Sequence, residues 1–319
     1  MSTHPVIPRR PPAPPEPPPV SLTIDGQQVD VPAGTTLLDA CHRQQIDTPT
    51  LCYSDVLEPA AACRVCVVEV EGSRTLVPSC ARKVEDGMVV QTNSERVRHS
   101  RRMVLELLGS SVDMSYASSE IIDWTQRYEA DPDRYGEAAR TVEQPAKIDN
   151  ALYMRDYSRC ITCYKCVDAC GEQAQNTFAI TVAGRGFEAG VSTEYDVALG
   201  DSACVFCGNC IAVCPTGAIM FSSEHQLREE GLWDEDVQEV TRTVCSFCGV
   251  GCNLELHVQD NRIVKVTSPQ DHEVTSGHLC IKGRFGYDYV QNLPDPMTTP
   301  IDDVLAAARA SGRDGGPTR

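Results

Sequence analysis

Seventeen cysteines stand among 319 residues, and sixteen of them fall into four sets of four. Cys52, Cys63, Cys66 and Cys80 form the first set, and Cys160, Cys163, Cys166 and Cys170 the second. Cys204, Cys207, Cys210 and Cys214 form the third, and Cys245, Cys248, Cys252 and Cys280 the fourth, which leaves only Cys41 over. Thiolate is a soft ligand suited to iron and zinc, and four thiolates close one iron–sulfur cluster. A row of such sites along one chain implies a wire for single electrons.

The second and third sets both read C-x2-C-x2-C-x3-C, with Pro215 after the last cysteine. This is the two-cluster ferredoxin run, in which the fourth cysteine of each motif ligates the other cluster. The expected sets are therefore Cys160, Cys163, Cys166 and Cys214 for one [4Fe-4S] cluster, and Cys204, Cys207, Cys210 and Cys170 for the other. The first set is spaced C-x10-C-x2-C-x13-C, with Ala60, Ala61 and Ala62 leaving room for backbone to fold around inorganic sulfide. It points to a [2Fe-2S] cluster, and a zinc knuckle on Cys63, Cys66 and Cys80 is the alternative. In the fourth, C-x2-C-x3-C-x27-C, Gly249 and Gly251 let the loop wrap a cubane, and zinc is again the alternative. The total is one [2Fe-2S] and three [4Fe-4S] clusters. Six of the seven histidines, His42, His99, His225, His257, His272 and His278, share no ligand spacing.

Around these loops the sequence lays out small α+β modules. Residues 1–19 are a proline-rich arm expected to be disordered or polyproline II. From Val20 to residue 92 the pattern is that of a β-grasp [2Fe-2S] ferredoxin. Val20, Leu22 and Ile24 alternate up to an Asp25-Gly26 turn, Val29 and Val31 return, and a helix follows with Thr35 or Thr36 as N-cap and Cys41 on its buried face. Thr92 and Glu95 have capping-box spacing and open a helical connector over 93–148. The two-[4Fe-4S] ferredoxin module occupies 149–222, an acidic solvated linker 223–240, a small [4Fe-4S] module 241–299, and a tail 300–319. The small module should hold a hairpin, Leu254–Val258 and Arg262–Val266, around Asp260-Asn261. Modules this small need metals to hold them together.

Composition narrows the class. Tightly packed cysteines and the absence of a signal peptide argue against a secreted disulfide scaffold. Prolines follow Arg9-Arg10 where a twin-arginine signal requires an apolar run, and no stretch is apolar enough to span a membrane. The expected compartment is the reducing cytoplasm. A net charge of −17 with no basic cluster excludes nucleic acid as a partner.

Residues 20 to about 295 resemble the N-terminal iron–sulfur region of the large subunit of NAD-linked molybdenum or tungsten formate dehydrogenases. The likeness rests on Cys52-Tyr53, on Cys63-Arg-Val-Cys66 with Val67–Gly72, and on the ferredoxin pair. Cys245-Ser-Phe-Cys-Gly-Val-Gly-Cys252 and Leu279-Cys-Ile-Lys-Gly-Arg-Phe-Gly-Tyr-Asp288 extend it. The first module is also similar to the large iron–sulfur subunit of respiratory NADH dehydrogenase and to iron-only hydrogenase N-termini, whereas the fourth set is similar to the module that opens molybdopterin oxidoreductases. The resemblance places Lys282 between a cluster and the pterin. It implies a Mo/W-bis(molybdopterin guanine dinucleotide) catalytic subunit as one partner and a flavin subunit with FMN and NAD as another. Two departures stand out. A His/Cys3 cluster common in relatives is absent, since no cysteine occurs between Cys80 and Cys160. The pterin-binding body, with its metal-bound cysteine or selenocysteine, is missing and is expected on a separate chain. The expectation is an electron-transfer subunit of a split formate dehydrogenase with no substrate site and no acid–base residue of its own. Another molybdopterin or hydrogenase-like complex, or a zinc-stabilised scaffold, is the alternative.

Overall fold

A computed structural model describes residues 17–272 and 274–291. The expected arm over 1–19, apart from its last three residues, and the tail over 300–319 lie outside the described residues. The chain divides into two compact units. One takes in the chain up to Thr50 together with Cys63–Val104, and the other takes in Leu51–Ala62 and the chain from Leu105 onward.

The first unit begins with β1 (Pro19–Ile24) and β2 (Gln27–Pro32), an antiparallel hairpin. Its turn places Asp25 at φ 48° and Gly26 at φ 84°, the left-handed pair that a two-residue hairpin requires. Next comes α1 (Leu37–Arg43), where Thr36 and Asp39 exchange side-chain and backbone bonds as a capping box. The strands β3 (Val67–Val70), β4 (Val77–Pro78) and β5 (Val89–Gln91) complete a sheet of order β2-β1-β5-β3-β4, in which only β1 and β5 run parallel. Leu22, Ile24, Val31, Leu37, Val68 and Val90 fill the core, and Cys41 lies among them with no exposed surface. Burial pushes the Cys41 thiol up to about 11, so it behaves as an apolar core residue.

Helix α2 (Glu95–Ser111) starts where expected but is capped differently. Thr92 is held by Asp25, whose carboxylate accepts from both its amide (2.8 Å) and its hydroxyl (2.5 Å). Ser94 therefore takes the capping role, its Oγ accepting from the Val97 amide at 3.3 Å. After α3 (Ser119–Arg127) the expected helical connector gives way to turns and extended chain up to residue 148.

The second unit contains β6 (Tyr153–Arg155), α4 (Lys165–Cys170), a hairpin of β7 (Thr181–Ala183) and β8 (Gly190–Ser192), α5 (Asn209–Ala212) and β9 (Ile219–Phe221). β6 leads into one cysteine motif and β9 leaves the other; they pair antiparallel, Tyr153 facing Phe221. Their core includes Tyr157, Ala169, Ile180, Leu199 and Ile219, with the thiols of Cys160, Cys166, Cys170, Cys204 and Cys210 packed on it.

The expected acidic linker is partly ordered helix. α6 (Ser222–Glu229) donates from the Ser223 hydroxyl to the Val264 carbonyl at 2.5 Å. Its charges pair locally, Arg228 with Glu224 at 2.8 Å, and Lys265 approaches Glu224 at 3.7 Å. A solvated appearance in composition thus conceals paired charges. β10 (Glu239–Val244), β11 (Asn253–Gln259) and β12 (Arg262–Thr267) form an antiparallel sheet whose second turn, Asp260-Asn261, has both residues at positive φ as anticipated. Short helices α7 (Ile281–Phe285) and α8 (Asp288–Gln291) close the described chain. Among the described residues, no helix is long and apolar enough to cross a membrane.

Candidate metal centres

The two ferredoxin motifs fold alike because both bend at the same places. Thr162 and Phe206, each just before a second cysteine, have φ of 52° and 53°; Tyr164 and Gly208, each just after it, have φ of 69° and 71°. Left-handed residues at these points turn peptide N–H groups inward. The Thr162 amide donates to Cys160 Sγ at 3.4 Å, and the Phe206 amide donates to Cys204 Sγ at 3.4 Å. The Ala179 amide reaches Cys170 Sγ at 3.2 Å, and the Tyr153 hydroxyl lies 3.3 Å from Cys204 Sγ. Such bonds are the means by which a protein stabilises added negative charge on sulfur.

The structure brings the thiols together across the motifs. Burial and then the neighbouring Cys214 push the Cys163 thiol up to about 12; Cys166 is raised by burial and by Cys163, Cys214, Cys210 and Cys160. In the other half, Cys210 is raised by burial and by Cys207, Cys204 and Cys170. Cys214 thus keeps company with the second set and Cys170 with the third. Cys170, Cys204, Cys207 and Cys210 line one pocket, together with Gly208 and Thr177 among others. Four thiols on one largely apolar pocket, with amides donated to Cys170 and Cys204 Sγ, are the donor set that a cubane cluster needs. Among the described residues no group of three or more His, Cys, Asp or Glu is disposed to hold a single metal ion.

In the fourth set, burial and then Cys245, Cys280 and Cys248 raise the Cys252 thiol. Cys245 is buried and its amide donates to the Cys252 carbonyl at 2.8 Å, whereas Cys248 and Cys280 are exposed. Gly251 uses its freedom at φ 69°, whereas Gly249 is not left-handed. Phe247, Val250 and Ile281 are exposed beside these thiols, and Lys282 is exposed too. In the first set, Cys66 and Cys80 are buried with sulfurs 3.4 Å apart, Cys63 is half-buried and Cys52 is buried. Arg64, between Cys63 and Cys66, has φ 63°. Among the described residues, His278 is half-buried two positions before Cys280, and its ring nitrogens have no hydrogen-bond partner.

Sequence reasoning misses the residues joining the third and fourth sets. Arg284 is fully buried, donating from Nε to the Cys207 carbonyl (2.9 Å) and from Nη2 to Asn209 Oδ1 (3.0 Å). Asn209 Oδ1 also accepts from the Leu279 amide at 2.9 Å. Phe285 stacks on Tyr153 with ring centroids 6.0 Å apart. Gly208 lies beneath them: a Cβ there would come 2.4 Å from Arg284 Cδ and 2.9 Å from Phe285 Cζ. The only signal is the run Leu279–Asp288, in which nothing marks Arg284 as buried.

Comparison with known proteins agrees with this architecture. Residues 18–95 match a 2Fe-2S iron–sulfur cluster binding domain, 159–218 a 4Fe-4S dicluster domain, and 238–292 the molybdopterin oxidoreductase Fe4S4 domain. This is an iron–sulfur protein. These are the [2Fe-2S], two-[4Fe-4S] and molybdopterin-oxidoreductase [4Fe-4S] modules expected from the sequence. One relative, an NADH-quinone oxidoreductase subunit of Rhizobium meliloti, is 33% identical over 280 residues, covering 86% of this chain and 32% of that protein. Another, the alpha subunit of an NADPH-Fe(3+) oxidoreductase of Geobacter sulfurreducens, is 36% identical over 296 residues, covering 88% and 33%. The chain therefore spans about a third of the length of these relatives. The crystal structure of an NAD+-reducing [NiFe]-hydrogenase in the H2-reduced state shares the fold, with a TM-score of 0.57 and 24% identity over 64% of this chain and 87% of that one.

Proposed function

We propose that this iron–sulfur protein relays electrons in a molybdopterin-type oxidoreductase complex, and that the electrons come from formate. The observation that carries the reading is the order of the three domains, with a molybdopterin-oxidoreductase module following the ferredoxin modules. In this reading Cys52, Cys63, Cys66 and Cys80 hold a [2Fe-2S] cluster. Three [4Fe-4S] clusters are held by Cys160, Cys163, Cys166 and Cys214, by Cys204, Cys207, Cys210 and Cys170, and by Cys245, Cys248, Cys252 and Cys280. When bound, they supply one-electron transfer. The Cys245 set faces a Mo/W-pterin centre outside this sequence, with Lys282 between them, and the Cys52 set faces a flavin partner that reduces NAD. The chain's own residues fix the sulfurs, exclude water and donate amides to them.

A second reading keeps the relay and changes the donor. It is favoured by the relatives, whose names speak of NADH–quinone and NADPH–Fe(3+) reactions. The deciding experiment is an anaerobic purification through a tag on this chain, with the visible spectrum taken before and after formate. Bleaching by formate supports the first reading. If dithionite bleaches the complex and formate does not, although a Mo/W-pterin chain is present, formate is excluded as the donor.

A further inference from the structure

One cation stands between the third and fourth thiol sets. Arg284 has no exposed surface, and its acceptors are all neutral: the Cys207 carbonyl, Asn209 Oδ1 and, at 3.4 Å, the Val266 carbonyl. A guanidinium taken out of water without a counter-ion carries a large desolvation cost. Arg284 touches both sets, its Nε on the Cys207 carbonyl and its backbone amide on the Cys280 carbonyl at 3.1 Å. Burial lowers its pKa to about 10, and the Cys207, Cys210 and Cys280 thiols offset part of that fall. Three forked bonds, the Phe285–Tyr153 stack and the bare Gly208 surface beneath keep that charge in one place.

We propose that Arg284 is a positioning and potential-setting residue shared by two clusters, its buried charge raising the reduction potential of both. Reduction adds one electron to a cluster that is already net negative. A fixed cation between the two sets stabilises each reduced form more than each oxidised form, because the attraction grows with the added charge. The same side chain holds the two sets at a constant separation. The cluster of Cys160, Cys163, Cys166 and Cys214 is outside this arrangement, since the Arg284 guanidinium bonds to Cys207, Asn209 and Val266 and to no residue of that set.

The inference rests on the reading that these thiols hold clusters, so iron and sulfide per chain in the natural protein are measured first. Their absence would overturn that reading, and this inference with it. With clusters present, the test is an EPR-monitored redox titration of the full chain carrying Arg284→Gln, Arg284→Lys or Asn209→Asp. Arg284→Gln is expected to lower the reduced-to-oxidised ratio of two [4Fe-4S] clusters about tenfold at fixed potential, which is about 59 mV for one electron. The third [4Fe-4S] cluster and the [2Fe-2S] cluster should stay where they were, and Arg284→Lys should restore the potentials. Asn209→Asp places a carboxylate against Nη2 and should reproduce the fall without removing Arg284, which decides the matter if Arg284→Gln loses iron. Unmoved potentials in whichever of the two variants keeps its iron would overturn the proposal, as would an equal fall in all three [4Fe-4S] clusters.

Discussion

The two halves of the ferredoxin module repeat their backbone and differ in what lies outside it. Every cysteine of the first half recurs 44 residues later, and the left-handed residues recur with φ values within 2° of each other. Yet one half places Tyr164 at the bend, 40% exposed, and the other places Gly208. A left-handed non-glycine residue costs about 1–2 kcal/mol. The first half tolerates this because nothing sits over Tyr164 to forbid a side chain. In the second half the fourth module is seated on the bend through Arg284 and Phe285, and a Cβ has no room. The sulfur geometry dictates the bend, and the neighbour dictates the residue.

Breaking the thiol sets should give the largest effect. Cys214→Ala, although it lies in the second motif, is expected to remove the cluster of Cys160, Cys163 and Cys166, about 4 irons per chain. Cys170→Ala should remove the other. Iron analysis with EPR of each variant checks the exchange; loss of the cluster nearest in sequence would contradict it. Next in size is Gly208→Ala, where left-handed strain and overpacking against Arg284 together should cost about 2–4 kcal/mol in chemical denaturation. The matched change Tyr164→Gly should alter stability by less than about 1 kcal/mol. Equal effects at the two bends would dissolve the comparison.

Smaller still is Tyr153→Phe. The Tyr153 hydroxyl lies 3.3 Å from Cys204 Sγ, so the change should lower the potential of the Cys204 cluster by one hydrogen bond, about 1 kcal/mol, and leave the Cys160 cluster alone. The smallest effect lies in the three-stranded sheet. Burial and then Lys265 hold His257 down to about 4, against an ordinary 6.5, while its Nε2 lies 2.9 Å from Thr267 Oγ1. The unfolded chain takes up the proton first, so this group's contribution is intact above pH 6.5 and is lost as the pH falls to about 4. A pH series of unfolding midpoints should flatten over that interval in His257→Gln.

How much is legible in the sequence depends on how local the cause is. The thiol sets are written as spacings, and the Asp25-Gly26 and Asp260-Asn261 turns as dipeptides, so each can be read directly. Thr92 reads as a helix cap because its true partner, Asp25, lies 67 residues away. Helix α6 reads as linker because Glu224, Arg228 and Lys265 look solvated until their pairing is seen. Arg284 is invisible for the same reason: its burial comes from Cys207 and Asn209, 77 and 75 residues earlier.

The cluster inventory underlies everything proposed for this chain, and Mössbauer spectroscopy of the full chain assembled with 57Fe tests it most directly. The expected result is about 14 irons per chain, of which about 2 belong to a [2Fe-2S] centre and the remainder to [4Fe-4S] centres. Zinc in place of iron, or a spectrum lacking either class, would contradict it.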